Sequence, residues 1–289
     1  MSEFWPEFVA WAKDHKAANT LIAYTTAWNK LTRLVSVERM SDITAAHIKV
    51  FVKKARAEGL SARGADVYLV HLNNVYANAI KQGWFRGPNP FAPFQRERIR
   101  EEEAPKFLTS EQVDNLVSVA KEYNERVYLI IALGVFAGLR RDEIMNQRWE
   151  EIDFERKTMT VSNKRADSTA GIQDFKTKSG KNRTLPLMSR LAEILEPYRK
   201  PDGYIIEPAR GETLGRFRHP MPDAFKTVRE RAGLPKLHPH QLRHTFASRL
   251  VQNGTSLFKV QKWLGHSSAR TTQIYARLQE GYDSDIERF

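Results

Sequence analysis

The stretch HPHQLRHTFASRLVQNG, His238 to Gly254, and the stretch VQKWLGHSSARTTQIYA, Val260 to Ala276, decide how this chain is read. In the first, His240 and Arg243 stand three residues apart, so on a helix they share a face and can grip one small anion together. In the second, His266 follows Gly265, and Tyr275 comes nine residues after His266. A helical pair, a loop histidine and a late tyrosine point to chemistry at a phosphodiester, with the phenol as nucleophile. Tyr275 has an ordinary pKa near ~10, so it needs adjacent positive charge and a base. His240 suits two roles, accepting the tyrosine proton or holding a phosphate oxygen. Its neighbours His238 and His244 show how cheap a single histidine match is, and only the joint spacing with Arg243 gives His240 weight.

Transfer at phosphorus builds negative charge on non-bridging oxygens, which guanidinium forks stabilise better than flexible ammonium groups. Arg243 is one fork. The second candidate is Arg140 in AGLRRDEI, where Gly138 lets the backbone turn and Glu143 can orient the guanidinium from the same helical face. The leaving 5′-oxygen needs a proton, and a lysine among cations can supply it. The segment KTKSGKNRTLPL offers Lys176, Lys178 and Lys181 around a turn at Ser179 and Gly180; Lys178, just before that turn, is the choice. His266 is expected to donate to a phosphate oxygen. Each residue has a bland alternative: a surface ion pair for Arg140, a phosphate-touching hairpin for Lys178, a turn cap for His266, a packing aromatic for Tyr275.

Composition agrees with a polyanionic partner. The 289 residues carry a formal charge of +12, which favours nucleic acid over a small neutral substrate. Cysteine is absent, which excludes disulfides, thiolate metal sites and a cysteine nucleophile. No run of about 18 apolar residues is available to span a bilayer and no signal pattern opens the chain, so a cytoplasmic protein without membrane association is expected.

The chain reads as helical from Ser2 to about Gln82. Phe4, Phe8 and Trp11 recur at helical spacing, and Leu21 to Leu34 continue the period after a cap at Asn19 or Thr20. Two more helices are predicted, Thr44 to Glu58 and Ser61 to Gln82, each stopped by glycine. Gly87 to Glu103, with the run RERIREEE, reads as an exposed linker. Thr109 and Gln112 form a capping box ahead of a helix from Ser110 to Tyr123, and Val127 to Leu139 is a buried helix stopped near Gly138. Thr158 to Val161, Ile172 to Phe175 and Arg183 to Leu187 are predicted as three strands of one small sheet, and helices return from Ser189.

Arg140, Lys178, His240, Arg243, His266 and Tyr275, with AGLRRDEI, KSGKNRTLPL and the two stretches quoted first, resemble the active-site set of the tyrosine recombinase (phage integrase) family. NTLIAYTTAWNKL, Asn19 to Leu31, and Asn89 with Pro90 are similar to its helical core-binding domain. The resemblance implies a mainly α protein with a small antiparallel sheet. Residues 1–86 would be an all-helical, DNA-binding core-binding domain, 87–106 a linker, and 107–289 an α+β catalytic domain ending in a tail, GYDSDIERF, that packs on a neighbouring protomer. The pattern begins almost at Met1, which implies the two-domain form without an arm-binding domain. The segment SNKRADSTAGIQDF, Ser162 to Phe175, is longer than the family's usual tight strand connection, which leaves the choice between Lys178 and Lys176 open.

In function, the resemblance implies site-specific recombination of double-stranded DNA: Tyr275 forms a 3′-phosphotyrosyl link, and a homotetramer on two sites passes through a Holliday junction, with monomers possible off DNA. No ATP, metal or other cofactor is expected. Lys53, Lys54, Arg56 and Arg63 are the candidates for DNA contact by the N-terminal domain. Two rivals share these residues: a type IB topoisomerase-like relaxing enzyme, and a catalytically silent DNA-binding regulator of the same fold.

Overall fold

Phe8, Trp28, Phe51 and Tyr76 are all nearly inaccessible to solvent, and they mark the centre of the first of two compact units, Met1–Arg100 and Glu101–Phe289. The structure is a computed structural model that describes residues 4–94, 106–167, 174–207, 221–266, 268 and 270–278. The run RERIREEE and the tail GYDSDIERF lie outside the described residues.

The first unit is helical, as predicted. It comprises α1 (Phe4–His15), α2 (Ala18–Leu34), α3 (Ala45–Ala57) and α4 (Ala62–Lys81). Trp5 stacks on Trp28 with ring centroids 4.8 Å apart, and Phe8 fits between α1 and α2, so aromatic area drives this core. The cap predicted at Asn19 or Thr20 is a correction: α2 starts two residues earlier than Thr20, at Ala18, after Ala17, which supplies no side-chain cap. Ser61 behaves as the cap of α4, its hydroxyl accepting from the Gly64 N–H at 3.0 Å. The residues after Gly87 pack more than an exposed connection would. Phe91 is buried in this same core, and Asn89 donates to both the carbonyl and the side chain of Asn73.

The second unit opens with Leu108 in its core, and α5 (Ser110–Tyr123) starts on the expected capping box: Thr109 Oγ1 accepts from Gln112 N, and Gln112 Oε1 accepts from Thr109 N. Next comes α6 (Glu125–Phe136), whose residues from Val127 onward are all buried, as its uninterrupted apolar sequence requires. The backbone then turns at Gly138 with φ +62° into the short α7 (Arg141–Met145). An antiparallel sheet follows in the order β1 (Ile152–Asp153), β2 (Thr158–Val161), β3 (Arg183–Pro186), with Met159 opposite Ile152 on one side and Leu185 on the other.

The sheet differs from the expected one in its third member. Ile152–Asp153 supplies it, whereas from the segment Ile172 to Phe175, part of which lies outside the described residues, Phe175 makes only an isolated bridge with Lys164. Beyond the sheet lie α8 (Ser189–Leu195), α9 (Met221–Arg231), α10 (Pro239–Gln252), α11 (Leu257–Leu264) and α12 (Arg270–Gln273). α10 runs along α6 closely enough that a Cβ on Gly134 would meet Leu242 at 2.9 Å.

Candidate active site

Glu143 is 2 % exposed, and a carboxylate that deep requires partners. Arg183 on β3 supplies the firmest, donating Nη1 to Oε1 at 2.9 Å and Nη2 to Oε2 at 2.7 Å, a fork on a carboxylate. Arg140 adds its Nη1 at 3.0 Å and its backbone N–H at 2.8 Å, while Arg243 Nη1 stands 3.8 Å away. Burial on its own would raise the Glu143 pKa. The Arg183 bonds and charge, the Arg140 N–H and the Arg243 charge outweigh it and hold the carboxyl at about 2. One anion thus faces three guanidinium groups, leaving two positive charges uncompensated by carboxylate.

The C-terminal end of α11 finishes the cluster. The last carbonyls of a helix have no partner within it and carry its negative pole. Here Trp263 O accepts Arg183 Nε at 2.7 Å, and Leu264 O accepts Arg243 Nη2 at 2.6 Å and Arg140 Nη1 at 3.3 Å. Arg243 Nη1 also donates to Gly138 O at 2.6 Å, so both turns flanking the site are tied to one side chain. Arg243 is 2 % exposed, and burial, followed by the charge of Arg140, pushes its pKa below the usual arginine value. A cation shifted this way gains from an incoming anion.

Gly265 ends α11 in the left-handed region at φ +66°, and its missing Cβ leaves room for Arg183 Cδ, which would otherwise lie 2.9 Å away. His266 comes next, its Nδ1 2.9 Å from Thr272 Oγ1, and its pKa falls to about 3 through burial and the charges of Arg243, Arg140 and Arg183. His240, one turn before His244 on α10, is exposed to solvent as a residue. Its pKa is lowered first by burial of the ring and then by the charges of Arg243, Arg140 and Lys178.

Lys178 is itself exposed, on the turn closed by Gly180 N donating to Thr177 O at 2.8 Å. Its charge is one of those that act on His240. It sits within the turn rather than ahead of it, because the turn begins at the buried Thr177.

Tyr275 is 1 % exposed and packs among Phe246, Ala247, Val251, Val260 and Leu264, so the packing alternative and the functional one describe the same ring. Burial raises its pKa to about 12, with Arg243 pulling the other way. Its hydroxyl lies 2.6 Å from Nδ1 of His244, the histidine the sequence reading set aside. Arg183 was also missed. The available signal was an arginine on the buried parity of β3, in step with Leu185.

In the first unit, Lys53, Lys54 and Arg56 lie on α3 and Arg63 on α4, all exposed. Lys54 Nζ donates to the Leu34 carbonyl at 2.9 Å, and so covers an open carbonyl at the end of α2. No three His, Asp or Glu residues gather into a metal-binding group among the described residues, and no helix there is long and apolar enough to cross a membrane.

The unit thus brings three arginines, the histidines His240, His244 and His266, and a buried tyrosine into one region of a mainly helical fold. The profile described as the phage integrase family matches residues 106–281, and the chain belongs to that family. Among curated proteins it is 30% identical over 257 residues to a tyrosine recombinase of Pseudothermotoga lettingae, covering 85% of this chain and 82% of that one. It is also 30% identical over 283 residues to tyrosine recombinase XerA of Pyrococcus furiosus, covering 96% and 90%. The enzyme class is therefore tyrosine site-specific recombinase.

The fold matches the Tn1549 transposon integrase in complex with circular intermediate DNA at a TM-score of 0.69, 22% identity and 98% coverage of both chains. It also matches a lambda integrase dimer bound to a COC′ core site at 0.67, with 20% identity and 92% and 96% coverage.

Proposed function

We propose that this chain binds double-stranded DNA at specific sites and exchanges strands through a 3′-phosphotyrosyl bond at Tyr275. The observation that carries this reading is a buried phenol that feels the charge of Arg243 and packs on Leu264, whose carbonyl Arg243 holds, within a guanidinium cluster that has two positive charges more than its one carboxylate. A phosphate diester brings the missing negative charge, and more of it as the transition state forms. Arg243 and Arg140 hold the non-bridging oxygens, His266 and His240 add donors, and Glu143 with Arg183 keeps the two forks in position. Lys178 protonates the leaving 5′-oxygen. The phosphotyrosyl ester conserves the bond energy, so the freed 5′-hydroxyl of a partner strand can reverse the step without a nucleotide.

Exchange between two duplexes then calls for four protomers acting in pairs and a Holliday junction between the two rounds. Residues 1–86 are assigned to DNA binding, with Lys53, Arg56 and Arg63 on phosphates, consistent with the net charge of +12. The solved proteins of like fold are described in complexes with DNA, which supports the same partner. The test is covalent capture: purified protein is mixed with DNA carrying nicks, denatured, and the retained DNA is sequenced. Wild type should keep DNA through a bond that Tyr275→Phe cannot form. A wild-type protein that retains none overturns the reading, and relaxation of supercoils without any junction would point to a topoisomerase.

A further inference from the structure

We infer that His244 is a catalytic residue of this site, the group that takes the proton from Tyr275 as the phenol attacks phosphorus. The inference rests on the reading of Tyr275 as nucleophile and names the base that reading leaves open. Its ground is geometric. His244 Nδ1 lies 2.6 Å from the Tyr275 hydroxyl, within reach for direct transfer, and the rings sit 5.8 Å apart. His240 is the next ring along α10, edge-on to His244 with centroids 4.8 Å apart, so the two histidines form a row leading away from the phenol. The nearer one meets the proton, and the farther one, exposed and under the charge of Lys178, is left for the phosphate.

The surroundings leave His244 and Tyr275 in the charge states that the transfer needs. Among the described residues, the groups that act on His244 are His240 and Arg243 on its own helix and Tyr275 from the C-terminal segment. Burial, then His240 and Arg243, bring its pKa down to about 4, so at neutral pH the ring is uncharged. The phenol, raised to about 12, keeps its proton. A neutral imidazole and an intact phenol can share this bond with tyrosine donating and Nδ1 accepting, which is the state a general base needs before attack.

The step balances. The Tyr275 oxygen bonds to phosphorus, its proton passes to His244 Nδ1, the bond from phosphorus to O5′ breaks, and O5′ takes a proton from the Lys178 ammonium. One positive charge leaves the hairpin and one appears on α10. Religation runs the same transfers backward, with the imidazolium returning its proton to the tyrosine.

The experiment uses full-length protein and a nicked duplex built on the sequence recovered by covalent capture. With wild type, adduct formation in a single turnover should be nearly flat between pH 6 and 9. His244→Gln keeps an acceptor but cannot take a proton, so its rate at neutral pH should fall about 10²- to 10⁴-fold. The same variant should then climb about tenfold per pH unit, because ionised phenol becomes the only attacking species. A variant that merely loosened the packing would slow without gaining that slope.

A second measurement needs no variant activity. The ¹⁵N shifts of His244 in the wild-type protein at pH 7 should show Nδ1 unprotonated and Nε2 protonated. A His244→Gln enzyme with wild-type rate and pH profile overturns the inference while leaving Tyr275 as nucleophile, and a protonated Nδ1 does the same. A wild-type protein that forms no adduct removes both.

Discussion

Glu143 illustrates how one buried side chain sets the behaviour of several others. Replacing it by glutamine leaves Arg183, Arg140 and Arg243 without their shared carboxylate, and breaking a buried pair from one side costs about 3–5 kcal/mol. Glu143→Gln is therefore expected to destabilise the second unit by roughly that amount in urea unfolding. Arg183→Met should do likewise and also lower adduct formation, since the freed carboxylate shifts toward Arg140.

The histidines carry a second prediction. His244 and His266 sit at about 4 and about 3 in the folded chain, below the ~6.5 of an unfolded histidine. Below ~6.5 the unfolded chain takes up protons that the folded one refuses. Their stabilisation is thus complete above that pH and is lost as pH falls toward the folded values, by up to ~1.4 kcal/mol per unit for each ring. Glu143, held at about 2, adds stability above its unfolded value of ~4.3 that disappears only below it. Urea midpoints should drop between pH 7 and 5, and His244→Gln should flatten that drop. At this scale the sequence offered Arg140, Glu143 and Arg243 of the ionic cluster, but neither Arg183 nor the partner of Tyr275. Nothing in a linear pattern says that the Tyr275 hydroxyl lands on His244 rather than His240, because that depends on how the C-terminal segment folds back onto α10.

Turns and helix ends, more than regular structure, aim the site. Gly138 has φ +62°, and a Cβ there would collide with the Phe246 ring. Gly138→Ala therefore combines backbone strain of about 1–3 kcal/mol with displacement of a ring that packs in the Tyr275 cluster. We expect a lower melting temperature and reduced adduct formation together.

The hairpin gives a separable case, since Lys178 is exposed and its loss should leave folding intact. Lys178→Ala should cut poorly on ordinary DNA but recover on a duplex with sulfur in place of O5′, because a thiolate leaves without a proton. Lys176→Ala should cut normally; recovery at position 176 instead would reassign the acid. The element that the sequence disclosed best was bounded by side-chain chemistry, the Thr109 and Gln112 box of α5. The two-residue strand Ile152–Asp153 was not legible, because two residues carry no periodicity and pairing with β2 alone defines it. The start of α2 at Ala18 was missed for a related reason: an uncapped helix leaves no mark in the sequence.

The whole molecule carries a formal +12 spread over two units with separate cores, so affinity for DNA should come largely from counterion release. The logarithm of the binding constant should fall linearly with the logarithm of salt, with a slope of roughly 0.9 for each phosphate neutralised. This gives the exposed cations of α3 and α4 a quantitative test. Alanine at Lys53, Arg56 or Arg63 should reduce the slope by about 0.9 apiece, and should do so on any duplex, because phosphate contacts carry no sequence information.

Lys54→Ala should behave differently. Its ammonium already holds the Leu34 carbonyl at the end of α2, so its loss should first lower the stability of the helical unit. A smaller change in salt slope than at its neighbours would follow. Titrations of each variant by fluorescence anisotropy across a range of salt, on one duplex with a captured site and one without, measure both effects. If the three substitutions leave the slope unchanged, the phosphates are held elsewhere and the assignment of this helical face to DNA fails, whatever the chemistry at Tyr275.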